Sequence, residues 1–240
     1  MKILDDLISS LDIDAEVRDI RQGLFYTAVL TRNCGLGATL PQDVLNQNQP
    51  SVERPGFLLA KTSRELIRMA YSESILEAAT GMATINSLLE IDDGLCDDLN
   101  AGKLIADKGR DKAVAIVGHF PFIPKLREAA SKLWVIEKNP REGDFGENEA
   151  EMLIPQADVI GITGTAFTNH TIEQLLKMCN PKAYIVVLGG TTPLSTVLFD
   201  YGVNAISGTK VTDPELALCC VSQGANYRQI KGIRQITMKR

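Results

Sequence analysis

The clearest pattern in the chain is a series of short, nearly uninterrupted apolar runs in its second half, each leading into a polar loop. AVAIVGHF (113–120), DVIGITGT (158–165) and YIVVLGGTTP (184–193) all contain glycine where the apolar run ends. Continuous runs of Val, Ile and Leu are typical of strands that are covered on both faces, as in a parallel sheet. The loops that follow such strands meet at one edge of the sheet, where ligands bind in α/β proteins.

The spacing of these runs predicts a Rossmann-like, doubly wound parallel sheet, and an α/β fold for the chain as a whole. Strands are predicted near 113–117, 133–137, 158–162, 184–188 and 203–207. Helical patterns lie between them, at 121–131, 146–153, 171–179 and 193–200. Strands that alternate with helices are joined by right-handed crossovers.

The first half of the chain has the pattern of an α+β domain, a strand meander followed by helices. Its predicted elements are a helix at 2–11, two antiparallel strands at 15–23 and 24–32, and helices at 62–71 and 73–89. A stretch rich in Gly, Pro, Asn and Gln (33–56) separates the strands from the two later helices.

An acidic segment separates the two halves. Residues 90–100, EIDDGLCDDLN, contain five acids, no base and a glycine. Such a change of composition is typical of a domain junction. We therefore predict an α+β domain at 1–92 and the Rossmann-like domain at 93–240.

Composition and charge narrow the class of protein. The 240 residues carry 25 Lys and Arg against 30 Asp and Glu, a formal charge of −5, without the clustered basic patch of a nucleic-acid binder. The last fourteen residues (227–240) are locally basic, and they are interpreted as a solvated terminal strand, with a phosphate-binding tail as the alternative. No apolar run reaches the roughly 20 residues of a membrane span, and Asp5 and Asp6 lie where a signal peptide would be apolar.

Five cysteines without a C-x-x-C pair indicate reduced thiols in the cytoplasm. The expected partner is a small molecule rather than nucleic acid or a membrane. The sequence is also compatible with a homo-oligomer.

The loop after the first buried strand argues against an ordinary NAD site. A dinucleotide fingerprint needs three glycines whose backbone approaches the pyrophosphate. Here residues 118–124 are Gly-His-Phe-Pro-Phe-Ile-Pro, with one glycine and two prolines that lack an N–H. Gly118, His119 and Phe120 are candidate ligand contacts, whereas Phe122 is interpreted as a packing residue.

The next two loops extend the candidate site with polar groups. Glu137 ends the second strand, where Rossmann-type proteins often bind ribose hydroxyls; a solvated carboxylate is an equal alternative. The third loop is dense in hydroxyls and amides, and Asn169 or Thr171 is predicted to cap the helix that follows. Its candidate ligand-binding residues are Thr163, Gly164, Thr165 and Asn169.

The fourth loop predicts a helix N-terminus that would bind an anion or a carbonyl oxygen. Thr192 is predicted to cap a helix whose first residue is Pro193, behind two glycines. Gly190, Thr191, Thr192 and Pro193 are the candidate residues here, with helix capping alone as the alternative.

The sequence contains no closed set of metal ligands. Its two histidines are His119 and His170, and Asp144 and Glu137 are the acids that would join them at the same sheet edge. No H-x-x-x-H, C-x-x-C or paired-carboxylate spacing is present. We predict no permanent metal site, and no cofactor is identified.

A set of segments, in a fixed order along nearly the whole chain, resembles a family of unknown function labelled putative heavy-metal chelation. In the second half they are VGHFPF (117–122), VIEKNPREGD (135–144), LIPQADVIGITGTAFTNHT (153–171) and LGGTTPL (188–194). In the first half they are YTAVLTRNCGLG (26–37) and ILEAATGMATINSLL (75–89). The resemblance implies a domain similar to the N-terminal domain of enolases, followed by a Rossmann-like domain, with a cleft between them. The chain departs from the family at Gly190, where proline is expected, and at His170, where glycine is expected.

Three functions are compatible with these residues. The leading one is a small-molecule binding protein or enzyme with its site in the cleft, handling a metal-chelating compound or its precursor. The alternatives are a non-catalytic module for an adenine- or pterin-like ring, and a nucleotide-dependent oxidoreductase on a modified Rossmann fold. An enzyme is expected to place a titratable group such as His119, Asp144 or His170 against the cleft. Thr27 and Asn33 are predicted at its rim, because loops at domain junctions commonly complete binding sites.

Overall fold

The computed structural model of the protein describes residues 1–41, 43 and 52–240, so that residues 42 and 44–51 of the predicted 33–56 loop lie outside the described residues. The chain forms a three-stranded antiparallel sheet and an eight-stranded, mostly parallel sheet, with helices interspersed. This arrangement confirms the predicted α/β fold.

The small sheet contains three strands in chain order, β1 (Asp19–Gln22), β2 (Tyr26–Leu30) and β3 (Cys34–Ala38). The large sheet contains β4 (Cys96–Asp97), β5 (Ala113–Val117), β6 (Lys132–Glu137), β7 (Phe145–Gly146), β8 (Val159–Thr163), β9 (Tyr184–Leu188), β10 (Ala205–Val211) and β11 (Ile233–Lys239). Its order is β4-β11-β10-β9-β8-β5-β6-β7. β11 pairs antiparallel with β4 and with β10, and the other pairs described in this sheet are parallel.

In the first half, the helices whose bounds lie within the described residues are α1 (Lys2–Ser9), α2 (Ser63–Arg68) and α3 (Ile75–Leu88). Those of the second half are α4 (Ala101–Lys108), α5 (Ile123–Ala129), α6 (Ala150–Leu153), α7 (Thr165–Thr168), α8 (Ile172–Met178), α9 (Val197–Asp200) and α10 (Pro214–Ser222). Single 3-10 turns lie at Leu58–Ala60, Met69–Tyr71, Asp93–Leu95, Glu147–Glu149 and Ile154–Gln156. No helix in the described part of the chain has the length and apolar character needed to cross a bilayer.

The continuous apolar runs arise because helices cover the large sheet on both faces. In β9, Ile185 and Val187 belong to one buried cluster, whereas Val186 and Leu188 belong to another on the opposite face. The second cluster includes Leu104 and other residues of α4 and α5. Neither face of these strands is left for polar side chains, which is why the sequence shows no alternation there.

The third strand of the small sheet was absent from the sequence prediction. Residues 34–38 are Cys-Gly-Leu-Gly-Ala, and glycine is disfavoured within strands because it costs conformational entropy. Helix α3 explains the glycines, since a Cβ at Gly37 would lie 2.2 Å from the carbonyl oxygen of Ala79. The close approach of the helix thus decides the composition of β3.

The acidic junction contacts the basic end of the chain. Arg234 of β11 binds Asp98 at 2.7 Å, and Lys239 binds Asp97 at 2.6 Å. The guanidinium of Arg234 lowers the pKa of Asp98. The junction also contributes β4, which pairs with β11 and so becomes an edge strand of the large sheet.

Candidate functional site

The strand order of the large sheet reverses between β8 and β5. From β5 the chain continues to β6 and β7 on one side, then returns to β8 on the other. The loops that leave the carboxyl ends of β5 and β8 therefore diverge, and a crevice forms between them, as at ligand sites of other open α/β sheets.

A cavity of about 1100 Å³ lies at this edge. It is as large as the cavities that hold drug-sized ligands. The polar residues among its described walls are Asp43, His119, Glu137, Lys138, Asn139, Arg141, Glu147, Asn148, Glu151, Thr163, Thr165, Asn169, Thr171 and Gln174. Of the residues predicted from the sequence, the cavity brings together Gly118, His119, Glu137, Thr163, Thr165 and Asn169.

His119 is held in the cavity wall by Asp144. The imidazole Nδ1 lies 3.2 Å from Asp144 Oδ2. The Asp144 side chain is only 3% exposed and also accepts a hydrogen bond from the backbone N–H of Arg141. Asp144 reaches this position because it directly precedes β7, which pairs with β6 beside β5. It is not itself a cavity-lining residue, and it acts on the site through His119.

Glu137 lies beside His119 at the end of the neighbouring strand. Burial raises the pKa of the Glu137 carboxyl, and hydrogen bonds from the backbone of Lys138 and His119 oppose this rise. Gly118 makes the turn between β5 and His119 with a φ of +109°. A Cβ there would lie 3.0 Å from the Cβ of Thr163, so glycine satisfies both the backbone angle and the contact with β8.

The third loop supplies hydroxyl and amide groups to the cavity. The hydroxyls of Thr163 and Thr165 lie 3.0 Å apart, and Thr165 begins the short helix α7 within the predicted loop. Asn169 Oδ1 accepts hydrogen bonds from the backbone and hydroxyl of Thr171, the residue before α8. The Asn169 amide nitrogen is then the part of this side chain left for a ligand.

The first half of the chain contributes to the cavity through the segment after β3. Leu40, Pro41 and Asp43 line it, and Asp43 accepts a hydrogen bond from Lys138 Nζ at 3.0 Å. The two residues predicted at the rim lie elsewhere. Thr27 pairs with Gly37 on the side of β2–β3 that faces α3 and is fully buried. Asn33 is exposed and donates to Leu89 O at the end of α3.

The fourth loop packs between the two halves and is not among the described walls of the cavity. Thr191 Oγ1 accepts a hydrogen bond from Ala38 N at 3.0 Å, and the carbonyl of Thr191 accepts one from Asn86. Gly190 lies against Tyr26 and Tyr227, whose pKa values burial raises.

The predicted cap of the fourth loop is wrong. Helix α9 begins only at Val197, so that Thr192 and Pro193 lie in an irregular segment before it. Instead of starting a helix, the loop turns so that Thr192 N donates to Gly189 O, and Thr191 bonds to Ala38 of the first half. Gly164 is where the third and fourth loops touch, since a Cβ there would lie 2.4 Å from Thr192 Oγ1.

Two other candidate residues also lie outside the cavity wall. Phe120 stacks on Phe122 with ring centroids 5.2 Å apart, and both pack against the cluster that includes α4 and α5. His170 has a left-handed φ of 62°, and its Nε2 lies 2.8 Å from the carbonyl oxygen of Ala70. Each of these side chains therefore has a packing or bonding partner within the protein.

The sequence prediction missed the polar segment that follows β6. Lys138, Asn139, Arg141 and Asn148 line the cavity, because the chain turns back through the two-residue strand β7. The high density of polar residues over 137–151 could have indicated that this segment lines a site. The strand β7 is too short to be visible in the sequence as a hydrophobic run.

Comparison with known proteins identifies the family. The model of DUF364, described as putative heavy-metal chelation, matches residues 100–239, and that of DUF4213, with the same description, matches residues 4–89. The chain belongs to this family. The resemblance predicted from the sequence is confirmed.

Relatives are similar to this chain over nearly its full length. An uncharacterized protein of Methanocaldococcus jannaschii is 25% identical over 235 residues, covering 95% of this chain and 91% of the relative. Crystal structures of DUF364-family proteins of unknown function are similar, one from Desulfitobacterium hafniense with a TM-score of 0.86 and one from Pyrococcus horikoshii with 0.85. Each structure is 24% identical in sequence to this chain, and each match covers 100% of this chain. The match covers 98% of the Desulfitobacterium chain and 100% of the Pyrococcus chain.

A closed heavy-metal site does not fit the described residues, despite the description of the family. Soft metals favour thiolate ligands, yet no cysteine is among the described cavity walls. Cys34 and Cys179 are buried, and Cys179 donates to the carbonyl of Leu175. Across residues 1–41, 43 and 52–240, no three His, Cys, Asp or Glu side chains are grouped closely enough to hold an ion.

Proposed function

We propose that the protein binds a small, polar, metal-chelating organic compound, or the precursor of one, in the cavity at the carboxyl ends of β5, β6 and β8. The observation that carries the proposal is this cavity of about 1100 Å³, whose described walls carry fourteen polar side chains, among them a histidine held by a buried carboxylate. A site with these properties suits a ligand with many polar groups.

The charges of the cavity favour a ligand with both amine and carboxylate groups. Its described walls hold four carboxylates, on Asp43, Glu137, Glu147 and Glu151, and two cations, on Lys138 and Arg141. Lys138 is already paired with Asp43, whereas Arg141 is exposed. Ammonium groups would pair with the free carboxylates, and a ligand carboxylate would pair with Arg141. Amino-carboxylates are also the groups through which small organic molecules chelate metals.

The two alternative functions have less support. A module for a flat heteroaromatic ring would use an aromatic platform, but the described walls contain no Phe, Tyr or Trp, and Phe120 stacks on Phe122. A nucleotide-dependent oxidoreductase would need backbone donors for a pyrophosphate, and the first loop carries two prolines and a single glycine.

To test the proposal, the protein is incubated with a metabolite extract and dialysed. The small molecule that it retains is then identified by mass spectrometry. The tag-free protein is compared with Thr165→Trp, which fills the cavity, and Glu215→Trp, a matched change at an exposed site on α10. We expect the wild type and Glu215→Trp to retain an amino-carboxylate compound, and Thr165→Trp to lose it at unchanged melting temperature. Equal retention by Thr165→Trp would contradict the proposal, as would retention of a planar ring compound without carboxylates.

A further inference from the structure

We infer that His119 ligates a metal that arrives already chelated, with Nε2 filling one coordination position that the bound compound leaves open. This inference rests on the proposed function and adds to it the atom through which the protein recognises the metal-loaded form.

The contact with Asp144 sets the tautomer of His119. An ionised carboxylate only accepts hydrogen bonds, so the contact of 3.2 Å between Nδ1 and Asp144 Oδ2 places the proton of the neutral ring on Nδ1. Nε2 then carries the lone pair. Metal-ligating histidines almost always have this arrangement, in which the second ring nitrogen donates to a carboxylate that fixes the ring and strengthens the ligand.

The His119 ring is only partly covered by the protein. The Asp144 side chain is 3% exposed, whereas that of His119 is 27% exposed and lines the cavity. Because the buried Asp144 covers the Nδ1 side of the ring, we infer that the exposed part of the imidazole is the Nε2 side. No hydrogen bond joins Nε2 to any other described residue.

The second histidine, His170, is bonded differently. Nε2 of His170 lies 2.8 Å from Ala70 O, an atom that only accepts, so this nitrogen carries the proton. The two histidines of the chain thus have opposite tautomers. His170 is also not among the described cavity walls, which leaves His119 as the imidazole available to a ligand there.

The described residues provide too few ligands for a closed metal site. A structural metal site in a protein usually has four protein ligands, and the described residues offer no group of three. A single imidazole binds a metal weakly by itself. It gains affinity when the remaining positions are filled by a chelator that the cavity also holds.

The test uses nickel chelates that differ in open positions. Nickel nitrilotriacetate leaves two coordination positions free, whereas nickel ethylenediaminetetraacetate leaves none. Binding of both chelates, and of Ni²⁺ alone, is measured by calorimetry at pH 8 on tag-free, full-length wild type and on His119→Gln, Asp144→Asn and His170→Asn.

We expect His119→Gln to weaken binding of nickel nitrilotriacetate by about tenfold or more. Asp144→Asn should weaken it by roughly tenfold, because the carboxylate that accepts from His119 Nδ1 is lost. Binding of nickel ethylenediaminetetraacetate should be the same in all variants, and His170→Asn should match the wild type. Unchanged binding of nickel nitrilotriacetate by His119→Gln overturns the inference. Tighter binding of Ni²⁺ alone than of its nitrilotriacetate complex also overturns it, because a closed protein site would then be present.

Nitrogen-15 spectra of the two imidazoles provide a readout that a merely structural role would not change. We expect the neutral His119 ring to show the Nδ1–H pattern and His170 the Nε2–H pattern. Zinc nitrilotriacetate, which is diamagnetic, is then added in place of the nickel complex, and only the nitrogen chemical shifts of His119 should change. An Nε2–H pattern at His119 overturns the inference. If Thr165→Trp still loses the natural compound in that case, the proposed function stands and only the role of His119 fails.

Discussion

Thr191 and Thr192 are neighbours of identical chemistry and similar burial, but their hydroxyls have different roles. Thr191 is 1% exposed and accepts the backbone N–H of Ala38, which links the fourth loop to β3. Thr192 is 2% exposed, and its hydroxyl has no hydrogen-bond partner in the described part of the chain. A buried polar group without a partner costs stability, whereas a paired one contributes to it.

We predict that Thr191→Val lowers the free energy of unfolding by about 1–3 kcal/mol, because the N–H of Ala38 is then left buried without an acceptor. Thr192→Val is the matched control, and it should leave stability unchanged or raise it. Urea denaturation of both variants measures the difference. Equal losses of stability in the two variants would contradict the assigned roles.

The cysteines differ in their expected reactivity for a physical reason. Burial raises the pKa of Cys34 and of Cys179 to about 12, and both thiols are enclosed, whereas Cys219 is exposed on α10. Because the thiolate is the reactive form, we expect a disulfide reagent at pH 8 to label Cys219 in the folded protein but Cys34 and Cys179 only after denaturation. Peptide mapping checks this, with Cys219→Ser as the control. Rapid labelling of Cys34 in the native protein would be incompatible with its burial.

At the scale of elements, the packing of α3 on β3 holds the first half together. The helix lies against the strand so closely that Gly37 has no room for a side chain. The methionine and isoleucine side chains of α3, Met82 and Ile85, join the main core, where they meet residues of the second half.

We predict that Gly37→Ala destabilises the protein by about 3 kcal/mol or more, since backbone atoms of α3 must move to admit the Cβ. Gly94→Ala is the control, because its Cβ would meet only the flexible carboxylate of Asp92, at 3.1 Å. It should cost less than about 1 kcal/mol. Soluble yield and urea midpoints measure both. A tolerated Gly37→Ala would show that the helix is not held at this distance.

At the scale of the whole molecule, the core crosses the junction between the halves. Ile3, Leu4 and Leu7 of α1 belong to the same buried cluster as Phe167 and Leu198. Helix α1 is also bound to the second half by polar contacts, from Ile3 N to Glu173 at 2.8 Å and from Tyr201 to Asp6 at 2.5 Å.

We therefore predict one cooperative unfolding transition for the full chain in scanning calorimetry. Leu7→Ala should lower the temperature of that single transition, with a loss of about 2–5 kcal/mol typical of a buried leucine. Two resolved transitions, with only one of them moved by Leu7→Ala, would show instead that residues 1–92 and 93–240 unfold as independent domains.

The sequence by itself determined the buried strands and the edge at which their loops meet. β5 and β9 have the predicted bounds, 113–117 and 184–188, because helices cover both faces and every position must be apolar. His119, Glu137 and Thr163 could be expected at one edge for the same reason, since the carboxyl ends of parallel strands coincide. These features depend on local periodicity and chain direction, which the sequence carries directly.

Only the tertiary structure decided which loop residues face the cavity. Thr191 was a loop hydroxyl like Thr163, but the first half of the chain packs over the fourth loop, and Thr191 became a link to Ala38. The contact between His119 and Asp144 depends on β7, two residues long, whose pairing is set by its neighbour β6. Contacts of this kind join residues far apart in the chain, and the free energy that selects them comes from docking of whole elements, which has no periodic signal in the sequence.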